Sequence, residues 1–318
     1  MTELLSVSNL SVKYAPDAPS AVDGVSIDIP SVGYTLAVVG ESGSGKSTLG
    51  MCFMNLVEPP GRIVSGKIEY MGKDILSMGG EDLRRFRWQE VALVPQSAMN
   101  SFSPVKKVSD HVTQVLRERA RLPKSEAKAK SLELLAEVGI KTERANAYSH
   151  ELSGGMRQRA CIATALSLSP KLLIADEPTS ALDVVVQQQI LELLRKRVVK
   201  AGLSLFFITH EIAILENLVE NVCVMFSGEI VERGPLGKIL FEPLHPYTQM
   251  LLESMPTLES RRDALSRFSR TKESMSIPRT GCKFANRCKY AFDRCRTEAP
   301  LLKETDHGRL VSCHKVNP

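Results

Sequence analysis

The chain has 318 residues, 43% apolar and 24% charged, enough apolar material to bury a sizeable core and too much for a disordered chain. Its 41 basic and 36 acidic residues leave a net charge of only +5. That balance is too mild to argue for nucleic acid or an anionic membrane surface, so charge assigns no partner.

The first residues, MTELLSVSNLSVKY, alternate like a strand and lack the basic start, apolar block and cleavage site of a secretory signal. A cytoplasmic location is expected. No stretch approaches the roughly 18 to 20 consecutive apolar residues of a membrane-spanning helix, so any membrane role must run through partners. Residues 3 to 39 read as short strands with turns at Pro16, Pro19 and Gly24, the last being the buried run Leu36 to Val39. It delivers the octet GESGSGKS, Gly40 to Ser47, which fits G-x-x-x-x-G-K-[ST] between a strand and a helix. Glycines there let the amides of Gly40, Ser42, Gly43, Ser44 and Gly45 curl around phosphate oxygens at a helix start. Lys46 is expected to reach the β- and γ-phosphates of ATP, Ser47 a magnesium ion, and Thr48 the region of the α-phosphate.

GKIEY at 66 to 70 and VALVP at 91 to 95 read as further strands separated by the charged helix EDLRRFR. Gln96 follows the second of them, and its amide, donor and acceptor at once, suits magnesium and an attacking water. From Val108 to about Val138 the pattern changes to long amphipathic helices with solvated charged faces, the mark of a helical insertion. LSGGMRQR begins another helix, whose Ser153, Gly154 and Gly155 form a second anion-binding start. Strands return at LLIAD, 172 to 176, and LSLFFIT, 203 to 209, with the helix QQQILELLRKRV between them. This alternation predicts a covered parallel sheet.

Asp176 ends the first of these strands, where open α/β proteins bind ligands, and can hold magnesium. Glu177, next to it, is the candidate general base toward the water that attacks the γ-phosphate. His210 ends the second strand and is brought by the same geometry toward that phosphate. Tyr14, 26 residues before Gly40, offers an aromatic face for adenine.

With the phosphate loop, Ser153-Gly154-Gly155, Asp176-Glu177, SALD at 180 to 183 and ITHE around His210, residues 3 to about 240 resemble an ATP-binding-cassette ATPase. The resemblance implies an α/β phosphate-loop NTPase fold with an N-terminal antiparallel β subdomain and a helical insertion at about 100 to 165. It also implies that the LSGG start of one cassette faces the phosphate loop of another. One copy per chain therefore implies a dimer. HPYTQMLLESMP and the cysteine-rich end resemble the cassette subunits of dipeptide and oligopeptide importers, and Met156 resembles the first of their two cassettes. The implied partners are a second, different cassette, two transmembrane permease subunits and an extracytoplasmic solute-binding protein. They place the chain on the cytoplasmic face of the membrane. In that family the region after Gln96 meets the permease, making QSAMNSFSP at 96 to 104 the expected contact strip. Peptides are the default cargo, with oligosaccharides or nickel chelates as related solutes. A soluble cassette ATPase of iron–sulphur assembly, translation or DNA repair is the alternative.

The tail, 256 to 318, is expected to form a small extension to the nucleotide-binding domain at 1 to 255. Cys52, Cys161 and Cys223 lie in apolar surroundings and read as buried small hydrophobes. Cys282, Cys288, Cys295 and Cys313 are grouped, and such a group in a cytoplasmic chain favours metal over disulfide. Their spacing fits neither the tight zinc pattern nor the common ferredoxin run and leaves zinc and iron–sulphur open. The importer resemblance implies a [4Fe-4S] cluster, with zinc or unligated thiols as the alternatives; His314, beside Cys313, reads as a supporting or surface residue, with a ligand role as its alternative.

Overall fold

A computed structural model describes residues 3–96, 101–253, 277–278, 280–305 and 308–317. Strands β1 (Leu5–Lys13) and β2 (Val22–Ile29) pair antiparallel, with Leu5, Val7, Leu10 and Val12 buried. The alternation slips between Val7 and Leu10, where the register shifts and Asn9 takes a left-handed φ of 49°. A bulge thus accommodates the odd spacing and keeps both halves of the strand facing the core. β3 (Thr35–Val39) starts a second sheet and leads through the glycine-rich loop into α1 (Lys46–Cys52). β4 (Arg62–Tyr70) and β5 (Lys73–Asp74) then complete the first sheet in the order β2-β1-β4-β5.

The helix α2 (Gly80–Arg85) precedes β6 (Val91–Val94), and the helical insertion follows as α3 (Val108–Arg119), α4 (Lys124–Glu137), α5 (Thr142–Ala145) and α6 (Gly154–Leu166). Then come β7 (Leu172–Asp176), α7 (Val184–Ala201), β8 (Ser204–Thr209), β9 (Asn221–Phe226) and β10 (Glu229–Pro235). The second sheet runs β10-β9-β3-β8-β7-β6, parallel from β9 to β6. Its central strands are buried on both faces, which explains their unbroken apolar runs. Leu36 and Val38 face one core with Leu49, Cys52 and Phe53 of the α1 segment, while Ala37 and Val39 face the helical side. The first core also contains Leu5, Val7 and Ile27, so α1 is sandwiched between the two sheets. Burying a side chain such as Phe206, edge-on to Phe53 at 4.7 Å, contributes about 1.5–3 kcal/mol, and the helix that follows the loop is thereby fixed.

Two short helices, α8 (Leu236–Phe241) and α9 (Pro246–Glu253), follow the sheet. The expected boundary and the segment RRDALSRFSRTKES lie outside the described residues. Beyond them the chain forms α10 (Asp293–Thr297), β11 (Lys303–Glu304) and β12 (Leu310–Val311). β12 pairs antiparallel with β10, Glu232 opposite Val311, and β11 pairs with β12. The tail is thus hydrogen-bonded into the main sheet. The buried Glu232 side chain also accepts from the amides of Leu244 (3.0 Å) and His245 (2.9 Å), holding the HPYT segment against β10.

Candidate active site

The strand order β3-β8-β7-β6 carries four chain segments to one sheet edge: the loop from Gly40, His210 after β8, Asp176-Glu177 at the end of β7, and Gln96 beyond β6. Gly40 is extended, and a Cβ there would lie 2.1 Å from the Met225 carbonyl oxygen. At Gly45, with φ of 102°, a Cβ would lie 2.0 Å from the Ala21 oxygen, so the loop can run this close to its neighbours only with glycine. The Gly228 amide donates to the Ser44 carbonyl at 2.9 Å and braces the loop from the β9–β10 turn.

Lys46 is buried, and its Nζ donates to the carbonyls of Gly40 and Glu41, both at 2.8 Å, and to Ser44 Oγ at 3.3 Å. Burial pulls its ammonium below the ordinary lysine range, and the carboxylates of Glu177, Asp176 and Glu41 pull it back up. A buried cation held mainly by neutral oxygens is under-compensated, which suits it to receive an anion. Ser47 Oγ donates to Asp176 Oδ1 at 3.0 Å. Burial raises the Asp176 carboxyl above the usual carboxylate range, the Ser47 hydrogen bond countering it. This pair of hard oxygens fits magnesium in donor type. Tyr14 lies at the same helix start, its hydroxyl 3.3 Å from Thr48 Oγ1, with its ring partly exposed.

Glu177 is held on both oxygens: Gln96 Nε2 donates to Oε2 at 3.1 Å, and His210 Nδ1 lies 3.0 Å from Oε1. Its backbone stands in the left-handed region at φ 44°, with its amide donating to the Ile208 carbonyl. Such strain in a residue with a Cβ is characteristic of functional positions.

Ser153 caps α6, its Oγ accepting from the Met156 amide at 3.4 Å. A Cβ at Gly155 would come within 2.4 Å of Val186 Cγ1, so this position must be small for α6 to pack on α7. Among the described residues no hydrogen bond joins Ser153, Gly154 or Gly155 to the loop. Thus the structure assembles Tyr14, Gly40 to Thr48, Gln96, Asp176, Glu177 and His210, and leaves the Ser153 start apart.

Residues 22–180 match the ABC transporter family, and residues 231–295 match the oligopeptide/dipeptide transporter C-terminal region. The chain belongs to the ABC transporter family. It is an ATPase of that family, with the tail of its oligopeptide/dipeptide branch. Relatives of this ABC ATPase include the oligopeptide transport ATP-binding protein AppD of Bacillus subtilis, 41% identical over 98% of this chain and 97% of that protein. The dipeptide transport ATP-binding protein DppD of Escherichia coli is 38% identical over 98% and 96%. Among solved structures, a dimeric post-hydrolysis state of the ATP-binding cassette MJ0796 with ADP and Pi is similar, with a TM-score of 0.66 at 25% identity. That likeness covers 73% of this chain and 98% of the cassette.

The ABC ATPase keeps Cys52, Cys161 and Cys223 buried, and burial pushes each thiol up to about 12, so they are inert core groups. Cys282, Cys288, Cys295 and Cys313 line one small cavity, with His245 and His314 also on its wall. Among the described residues, however, no three His, Cys, Asp or Glu side chains form a group ready to hold a metal ion. The Cys282 thiol is pushed up to about 11, by burial first and then by the other three thiols.

Motif reading missed a second set of residues around Glu41, an unspecified position of the phosphate-loop pattern. The Glu41 amide donates to Tyr247 Oη at 2.9 Å, and Arg287 makes a two-pronged pair with its carboxylate at 2.8 and 2.6 Å. Nearby, Lys283 joins Asp23 Oδ2 at 2.6 Å and Glu229 Oε1 at 3.1 Å. The tail and the phosphate loop are therefore in direct contact. Only the HPYT segment signalled this in the sequence, without saying what it touches.

Proposed function

We propose that this ABC ATPase is the energy-coupling subunit of an importer for di- and oligopeptides, working at the cytoplasmic face of the membrane. The match of residues 231–295 to the oligopeptide/dipeptide C-terminal region carries this reading, and the names of the relatives support it. It disfavours a soluble cassette ATPase. The partners are a second cassette, of the other type in a heterodimer, two permease subunits and an external solute-binding protein. Purification from detergent-extracted membranes tests it: two multi-span proteins should accompany the chain, and peptide should raise its ATPase rate in the presence of the solute-binding protein. Recovery without such proteins, on ribosomes or DNA, would overturn it.

In this reading Lys46 and the loop amides receive the β- and γ-phosphates, Thr48 lies by the α-phosphate, and the Tyr14 ring stacks on adenine. Ser47 and Asp176 hold magnesium, with Gln96 beside them. Magnesium offsets the charge of the phosphates. Glu177 accepts the proton of the attacking water as the γ-phosphorus leaves the bridging oxygen, giving ADP and phosphate. His210, on Oε1, orients that carboxylate. Ser153, Gly154 and Gly155 complete the partner cassette's site, a reading that needs two cassettes and is supported to that extent by the dimeric, ADP- and Pi-bound state of MJ0796. Closure driven by ATP and reopening after hydrolysis form a two-state cycle biased by the γ-phosphate.

A groove of about 650 Å³ between the sheet edge and the helical insertion is lined by Trp88, Pro95, Ser101, Phe102, His111 and Gln114. It supports the permease contact at 96 to 104, of which residues 97–100 lie outside the described ones.

The four tail thiols are proposed ligands of a [4Fe-4S] cluster, with zinc as the alternative. All four line one cavity, which fits either in donor chemistry. A single zinc at about 2.3 Å from each sulphur needs a tight cage. The likeness of the tail to the oligopeptide/dipeptide C-terminal region supports the cluster reading; among the described residues no three such side chains are gathered tightly enough to hold an ion. Its role is to staple a loop-rich tail.

A further inference from the structure

An anion-binding loop that carries a carboxylate at its second position has its own competitor. Loop amides and the Lys46 ammonium attract any nearby negative group, and Lys46 already reaches the Glu41 carbonyl at 2.8 Å. The charge of Glu41 is felt at Lys46. Yet the Glu41 carboxylate is turned outward, both its oxygens taken by the Arg287 guanidinium at 2.8 and 2.6 Å. Arg287 is backed by an aromatic pair: its Cζ lies 5.5 Å from the Phe226 ring centroid and 5.6 Å from that of Phe284, the two centroids being 5.3 Å apart. A planar guanidinium, paired bidentately and set against two aromatic rings, loses little freedom in making these bonds. Tyr247 holds the backbone of the same residue through the Glu41 amide.

We propose that Arg287 is a positioning residue for nucleotide, keeping the Glu41 carboxylate out of the phosphate loop so that Lys46 and the loop amides are free for ATP. The tail thereby acts on the ATP site 246 residues earlier in the chain. Arg287 lies on the short turn 285–287, directly before Cys288, so the thiol cavity and the phosphate loop are linked by one turn. The inference rests on ATP binding at this loop and is independent of cargo and of what the thiols hold.

The test uses the full-length chain and a fluorescent ATP analogue with magnesium. Arg287→Ala should weaken binding roughly fivefold or more, and Arg287→Lys should recover part of that loss because it restores charge but not the two-pronged geometry. In a Glu41→Gln background, with the competitor removed, Arg287→Ala should change affinity by less than twofold. An equal loss in both backgrounds would show Arg287 to be a general structural prop and overturn the proposal, as would unchanged affinity in Arg287→Ala alone. Failure of the unaltered chain to bind the analogue would instead strike the ATP reading of the loop.

Discussion

His210 Nδ1 stands 3.0 Å from Glu177 Oε1. A carboxylate can only accept, so the imidazole carries its proton on Nδ1, and this bond together with that from Gln96 Nε2 fixes the carboxylate plane. The two contacts come from the ends of two different strands, β8 and β6, flanking β7 in the sheet. Any relative movement of these strand ends changes the hold on Glu177.

Glu177→Gln preserves size while removing the proposed base. Turnover by the assembled transporter should fall by about a hundredfold or more, while ATP is still bound and the cassettes stay closed. Single-turnover hydrolysis measures it, and near-normal rates would remove Glu177 from the role of base.

Lys46→Ala deletes the buried ammonium. Loss of charged hydrogen bonds, about 1.5–3 kcal/mol, should weaken ATP binding by roughly tenfold to a hundredfold. Equilibrium titration with nucleotide checks this, and normal affinity would count against its phosphate role.

His245 supplies a pH test. Its Nδ1 accepts from the Tyr247 amide at 3.0 Å, and the ring also hydrogen-bonds to the Ser312 backbone, an arrangement available only to the neutral imidazole. Burial lowers its pKa from 6.5 to about 4. Above pH 6.5 both folded and unfolded forms are neutral there; as pH falls toward 4 the unfolded chain takes up the proton first, so stability declines across that window. The full effect is about 3 kcal/mol. Melting temperatures of the unaltered chain should drop over this range more steeply than those of His245→Gln, whose side chain does not titrate. Parallel curves would refute the assignment.

Under the proposed cluster, the purified chain should show iron absorbance that Cys288→Ser abolishes, and the substitution should expose the tail to proteolysis. An unchanged spectrum would dismiss Cys288 as a ligand, and stoichiometric zinc in place of iron would select the alternative metal.

The strands that deliver the nucleotide groups were legible because both faces of β3, β7 and β8 are buried, leaving apolar runs that end at Gly40, Asp176 and His210. The phosphate loop was legible because Gly40 and Gly45 are dictated by contacts near 2 Å, which no other residue survives, and Gly43 by a left-handed φ of 79°. Glu41 escaped notice because the motif leaves its position free, and its partners lie 206 and 246 residues away. Likewise β9 and β10 were not anticipated. NVCVMF and EIVERGP are short and carry no chemistry of their own, and only tertiary pairing shows that Glu232 is a buried anchor for the HPYT segment. The sequence rule for small residues at LSGG expected close approach to phosphate; within this chain Gly155 is already required by Val186.

The pairing of β12 with β10 has a consequence for solubility. Without the last residues, β10 would present unsatisfied backbone amides and carbonyls along an open margin of the main sheet, a template for adhesion between copies. The two-residue strands β11 and β12 blunt that margin and end in a frontier too short to propagate. A stop codon before Leu310 would therefore yield a sticky, self-associating polypeptide even with every nucleotide-contacting group intact.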